Sequence, residues 1–319
     1  MSDLKNQIAN FINENREKGK PLSDKSMKAY TSTLLNLYHQ VFTDIEEFDI
    51  NKFNDHKAII NYLKDTPHST RKTKMATLLN IATDKKARQE YQKIMNKDVE
   101  KYNKEQDKNK ATEAQKAVNI TQEDIHKIGD QVKQEFNKTI KELTEGKPYG
   151  AYTKIDLLKH IIYMLTSGEY IPPRRIMEWV ELKIGKVDKR SKKHTKLNYN
   201  LYNPKNGEFV MNVYKTADTM GTQYIKAPKA MKDDINKYIE LNGLKDGDYL
   251  ITDKDGHPLT VSTFNRRLNS IYGDHRGVNV LRHSFVTEKY QNIPSLQELS
   301  DTADAMGHGI LQHLEYIKN

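Results

Sequence analysis

Apolar positions recur at helical spacing along most of the chain. Behind Ser23, Met27, Tyr30, Leu34, Leu37 and Val41 step by three and four, which predicts a helix capped by Ser23 with one buried face. A second helix is predicted after Ser69, with Met75, Leu78, Leu79 and Ile81 inside it, and residues 1–120 read as almost purely helical. The stretch Asp98 to Lys116 has almost no apolar residues and mixed charge, as a solvated helix or an interdomain linker would. Thr121 followed by Asp124 reads as a capping box opening a helix striped by Ile125, Ile128, Val132 and Phe136. Ile155, Leu158, Ile162 and Leu165 mark the next helix, which breaks at Ser167-Gly168 and Pro172-Pro173. From Leu197 the period changes to two, with turn-formers at Asn203–Gly207 and Thr216–Gly221, and this predicts a three-stranded antiparallel meander. Helices return at Pro228 and behind Thr260, and the last 40 residues are helical again. The expected fold class is α+β, mostly α: a helical domain over 1–100, a polar linker over 101–120, and over 121–319 a mainly helical domain with a small antiparallel sheet.

Composition narrows this picture. A chain of 319 residues suits two domains with separate cores. Without cysteine it has no disulfides, thiolate metal sites or cysteine nucleophile. Mean hydropathy is −0.85, and the N-terminus lacks an apolar signal core, so an intracellular protein with no membrane span is expected. Lys and Arg total 52 against 43 Asp and Glu, a formal +9. The excess is shared, with 22 against 17 in residues 1–120 and 30 against 26 in the rest. A basic balance favours polyanionic partners, although a solvated Lys/Glu surface gives the same arithmetic. Lys outnumbers Arg by 42 to 10, the drift of an A/T-rich genome, so the pairs Arg174–Arg175 and Arg266–Arg267 point to a need for the planar fork. In His68–Lys74, three cations (Arg71, Lys72, Lys74) fall at a helix start, where the dipole disfavours them unless a phosphate is present; a solvated helix end is the plainer account.

No GxGxxG or GxxxxGK loop occurs, nor HExxH, and the eleven His are scattered, so no nucleotide or metal site is visible. What stands out are four cationic segments in the second half. Arg175 and Glu178 fall one turn apart in PPRRIMEWVEL; Lys215 is expected at the end of a strand just before a turn; Asn279 to Phe285 (NVLRHSF) opens a helix; and Met306-Gly307-His308 is followed eight residues later by Tyr316.

In order and spacing this series resembles the tyrosine recombinase (phage-integrase-type) superfamily, relatives of the type IB topoisomerases. Arg175, Glu178 and Leu182 match its R-x-x-E-x-x-x-L segment, Lys215 its β-hairpin lysine, Asn279 to Phe285 its H-x-L-R-H-[ST]-F segment, and MGH with Tyr316 its last box. The match covers roughly 120–319. The first half is more loosely similar to the family's core-binding domain, chiefly in LSDKSMKAYTSTL. In two places the chain departs: Asn279 stands where His is usual, and the interval from His308 to Tyr316 is one residue short. Asn can donate to a phosphate oxygen but carries no proton at neutral pH.

The resemblance implies a catalytic set of Arg175, Lys215, Asn279, Arg282, His308 and Tyr316. Two Arg forks would clamp the phosphodiester, whose oxygens gain charge in the transition state. Tyr316 would attack to form a 3′-phosphotyrosyl link that stores the bond energy, and Lys215 would protonate the leaving 5′-oxygen. Lys226 could exchange roles with Lys215. His308 would bond the phosphate or help take the Tyr proton. Glu178 would orient Arg175, and His283 would support the phosphate or simply be a satisfied core histidine. Lone Trp179 reads as core. The expected DNA contacts are Lys25, Lys28, Arg71, Lys72, Lys74, Arg174, Arg266 and Arg267. The implied partners are double-stranded DNA and, in the synaptic complex, three further copies of the chain, with no cofactor or metal. Composition and the PPRR variant look like enzymes that integrate viral, virophage or mobile-element genomes. Two other functions answer to the same boxes: a monomeric type IB topoisomerase and an inactive DNA-binding relative.

Overall fold

The computed structural model of the chain describes residues 2–15, 22–43, 48–106, 112–187, 193–290 and 296–316. Contacts divide it into two compact units, Met1–Lys108 and Asn109–Asn319, each with its own core.

In the first unit, α1 (Ser2–Asn15) and α2 (Asp24–Val41) are followed by a 3₁₀ turn (Ile50–Asn54), α3 (His56–Leu63), α4 (His68–Leu78) and α5 (Lys85–Gln106). Ser23 caps α2 as its sequence requires, its hydroxyl accepting from the Ser26 amide at 3.2 Å. The predicted stripe holds: Leu34 and Leu37 are buried, with Met27, Tyr30 and Val41 packed against the same core. α4 begins two residues earlier than expected, at His68, and ends at Leu78, so Leu79 and Ile81 lie in the turn that follows it. α5 continues as a solvated helix into the predicted linker as far as Gln106; residues 107–111 lie outside the described residues.

The second unit opens with α6 (Glu113–Ala117), α7 (Gln122–Thr144) and α8 (Ala151–Thr166). Thr121 caps α7, accepting from the Asp124 amide at 3.0 Å and donating to the Asp124 carboxylate at 2.7 Å. α8 is buried on every side from Leu157 to Thr166 except Lys159, and around it the core collects α7, the short α9 (Met177–Val180), α11 (Lys229–Leu241) and α12 (Val261–Tyr272). Trp179 is core, edge-on to Phe209 with ring centroids 5.6 Å apart.

The sheet runs β1 (Leu182–Ile184), β2 (Asn200–Asn203), β3 (Glu208–Met211), β4 (Gln223–Lys226) in that order. The last three form the predicted antiparallel meander. β1 lies parallel to β2, so the sheet is mixed rather than purely antiparallel. Three residues are too few to show a period, and a parallel partner reached through a long crossover leaves no local signal. β3 ends at Met211, and the β3–β4 connection, which includes the helical turn α10 (Ala217–Met220), carries Lys215. Lys215 therefore sits in the connection, beyond the strand end where the sequence placed it.

The chain finishes with α13 (Val278–Lys289), α14 (Leu296–Ala305) and α15 (Ile310–Leu314). These enclose a small satellite cluster of Val286, Tyr290, Leu299, Met306 and Tyr316, apart from the main core. No described helix is long and apolar enough to cross a membrane.

Candidate active site

α13 passes between the two clusters: Leu281 belongs to the main core and Val286 to the satellite. Between them the helix points Arg282 inward, 0% exposed. Its guanidinium carbon lies 4.7 Å from the centre of the Tyr316 ring, and Nη2 is 3.4 Å from His308 Nδ1. Nε and Nη1 have no partner among the described residues. Desolvation, set against the attraction of Tyr316 and aggravated by Arg175, lowers the Arg282 pKa to about 10. A buried cation with two idle donor groups is costly unless an anion completes it.

Tyr316 is 7% exposed and held at both ends. Its ring lies 4.6 Å from that of His283 and 5.2 Å from that of His308. Its carbonyl oxygen is 3.0 Å from His283 Nδ1, and also accepts from the Thr287 hydroxyl at 3.3 Å. The helix that presents Arg282 thus also holds the backbone of the tyrosine. His283 packs and anchors Tyr316, which leaves room for either of its two expected roles.

His308 follows Gly307, whose φ of +70° is left-handed. A Cβ there would come within 2.5 Å of Arg174 Nη2, so any side chain would be strained and would have to displace that guanidinium. The Gly307 carbonyl accepts from the Thr216 hydroxyl at 2.8 Å and from Arg175 Nη1 at 3.4 Å. Arg175, partly exposed, thereby reaches the turn that carries His308, and the hairpin connection next to Lys215 is tied to the same carbonyl. Lys215 itself is exposed, and no described contact draws it into the cluster. Lys226, the alternative to it, donates to the Asn206 carbonyl at the other end of the hairpin.

Two expectations need correction. Arg174, placed among the DNA contacts, is 0% exposed: it pairs with Glu178, donates to Gln223 Oε1 at 2.8 Å and the Ala305 carbonyl at 2.7 Å, and lies over the Tyr214 ring. Glu178 consequently orients Arg174, not Arg175: helix α9 starts only at Met177, so both Arg lie outside it and helical spacing does not choose the partner. Arg71 is the other: it forms a two-pronged pair with buried Asp98, at 2.7 and 2.8 Å, and donates to the Lys64 carbonyl. Its cation is occupied in holding α4 to α5.

The other candidates are accessible to varying degrees. Lys25, Lys28, Arg266 and Asn279 are exposed, whereas Lys74 and Arg267 are partly so. The Lys72 ammonium rests 2.9 Å from the centre of the Tyr102 ring, and burial lowers its pKa. Asn279 lies in the first turn of α13. One residue of the cluster escaped the sequence reading. His313 is fully buried, its Nδ1 3.2 Å from His308 Nε2. The available signal was its position five residues after His308 and three before Tyr316. Among the described residues, no three His, Asp or Glu are grouped to hold a metal ion.

No protein-family model matches the chain, and no curated protein matches it. Among solved structures, the chain is similar to the one described as the crystal structure of XerA recombinase: 12% identity, TM-score 0.38, with 98% of this chain and 93% of that one covered.

Proposed function

We propose that the chain is a DNA strand transferase, cutting and rejoining duplex DNA through a phosphodiester link to Tyr316. The observation that carries this reading is the buried Arg282 guanidinium, stacked on the Tyr316 ring with two nitrogens unpartnered among the described residues. A phosphate is the natural complement: it is anionic and planar in its acceptor pairs, and it gains charge as the tyrosine attacks. Arg175 is the second fork. His308, which burial and the surrounding arginines hold to a pKa of about 2, is neutral and acts through hydrogen bonds rather than charge. Lys215, on a connection tethered through Thr216, is the general acid for the leaving 5′-oxygen. Asn279, exposed in the first turn of α13, donates to an oxygen of the scissile phosphate, and exposed Lys25, Lys28 and Arg266, with Lys72, Lys74 and Arg267, serve the phosphate backbone. Integration of a viral or mobile-element genome, by four copies around two duplexes, is the biological setting that the sequence resemblance favours.

The test uses nicked suicide duplexes made from fragments of the source genome, with no added metal. The expected result is a detergent-stable protein–DNA adduct that is lost in Tyr316→Phe. An adduct surviving that substitution would remove the nucleophile assignment, and absence of any adduct would leave a binding protein. Relaxation of supercoiled plasmid by monomer, without paired sites, would instead identify a topoisomerase.

A further inference from the structure

His313 is a fully buried titratable side chain beside His308 to which strand transfer as proposed gives no task. It packs edge-on to Tyr290, with ring centroids 5.3 Å apart, beside the satellite of apolar and aromatic side chains, and meets the His308 ring at 5.2 Å. Leucine or phenylalanine would serve that packing without burying a polar ring, and His313 Nε2 has no partner among the described residues.

Donor accounting decides where the protons sit. Arg can only donate, so His308 Nδ1, facing Arg282 Nη2 at 3.4 Å, accepts and is unprotonated. His308 is neutral, so its single proton is on Nε2, which faces His313 Nδ1 at 3.2 Å. His313 Nδ1 must then accept, and its own proton lies on Nε2. Burial and the nearby Arg282 hold His313 to a pKa of about 4, so this ring too is neutral. The chain of hydrogen bonds runs one way, from Arg282 through His308 to His313.

We infer that His313 is a positioning residue: by accepting the His308 Nε2 proton it locks the tautomer whose Nδ1 takes one Arg282 N–H, which fixes the plane of the guanidinium and so the direction of the N–H groups left for the phosphate. The inference rests on the strand-transfer reading for its purpose, but not for its geometry. With no acceptor at position 313, His308 can place its proton on Nδ1 and confront the Arg282 donor, and the fork loses its register.

The experiment uses the full chain with ¹⁵N-labelled histidine, reading ring-nitrogen protonation by NMR alongside adduct formation on the suicide duplex. His313→Asn keeps an acceptor near the Nδ1 position. His313→Phe removes it and keeps the bulk, and His313→Leu does the same if the larger ring prevents folding. Wild type and His313→Asn are expected to hold His308 as the Nε2–H tautomer and to form adduct at rates within about threefold of each other. The variants lacking an acceptor should populate the Nδ1–H form and slow the chemical step by roughly tenfold or more, with DNA affinity unchanged. An unaltered His308 tautomer and rate in those variants would overturn the inference, as would equal slowing in His313→Asn, which would indicate packing alone. If wild type forms no adduct on any DNA, the strand-transfer reading fails, while the tautomer lock still stands or falls on the NMR arm.

Discussion

Arg282 is the side chain on which the site turns, and a lysine there would not preserve its charge. The same burial that lowers the Arg282 pKa to about 10 would push a lysine much further towards neutrality, besides removing the fork. Arg282→Lys and Arg175→Lys are each expected to slow adduct formation by about 10²–10³ in single-turnover assays. At Gly307, alanine meets two obstacles, the left-handed backbone and Arg174 Nη2 at 2.5 Å from the new Cβ. Gly307→Ala should destabilise the fold by about 1–3 kcal/mol in urea unfolding and displace His308 with it. The two buried imidazoles also govern acid stability. Unfolded histidine binds its proton near pH 6.5, whereas His308 and His313 do so in the folded chain only near 2 and 4. The unfolded state therefore takes up protons first, so stability is full above about pH 6.5 and falls as pH is lowered through that value. The loss is on the order of 1–2 kcal/mol per histidine between pH 7 and 5. His308→Asn should flatten that part of the stability profile.

Among the elements, the amphipathic helices were readable because each buries one continuous stripe: Ser23, Thr121 and Thr260 cap where their spacing demands, and Ile125, Val132 and Phe136 face the core as their period requires. The four boxes were readable as residue types, and the structure brings Arg282, His308, His283 and Tyr316 together. Partnership was not readable. Arg174 and Arg175 are equivalent one-dimensional candidates for Glu178, and only the late start of α9 and the approach of Gln223 and Ala305 decide that Arg174 is the buried one. β1 and His313 escaped for the same reason, since their meaning lies in contacts made across the fold. The Arg174–Glu178 pair supports a prediction at this scale. Arg174→Leu alone leaves a buried carboxylate uncompensated and should cost about 3–5 kcal/mol, while the double change with Glu178→Leu recovers most of it in an unfolding cycle.

For the whole molecule, charge is shared between the two units, so DNA affinity should fall steeply with ionic strength, by about tenfold or more between 50 and 200 mM salt in fluorescence anisotropy. Lys25→Ala and Lys28→Ala are each expected to reduce the salt slope by about one. Arg71→Ala should act differently, lowering the stability of the first unit by exposing Asp98 as an unpaired buried charge. Stability is also unevenly distributed within the second unit. α8 is embedded in the main core, whereas Tyr316 rests on a satellite of a few side chains. Amide protons of α14 and α15 are therefore expected to exchange through local openings that cost less than global unfolding, which native-state hydrogen exchange would read, and the Tyr316 phenol belongs to that same region. On the strand-transfer reading, a phosphodiester filling the idle donors of Arg282 would close that same region from the inside. Deuterium uptake over residues 306–316 is then expected to slow on binding DNA, and to do so equally in Tyr316→Phe, which lacks the proposed nucleophile.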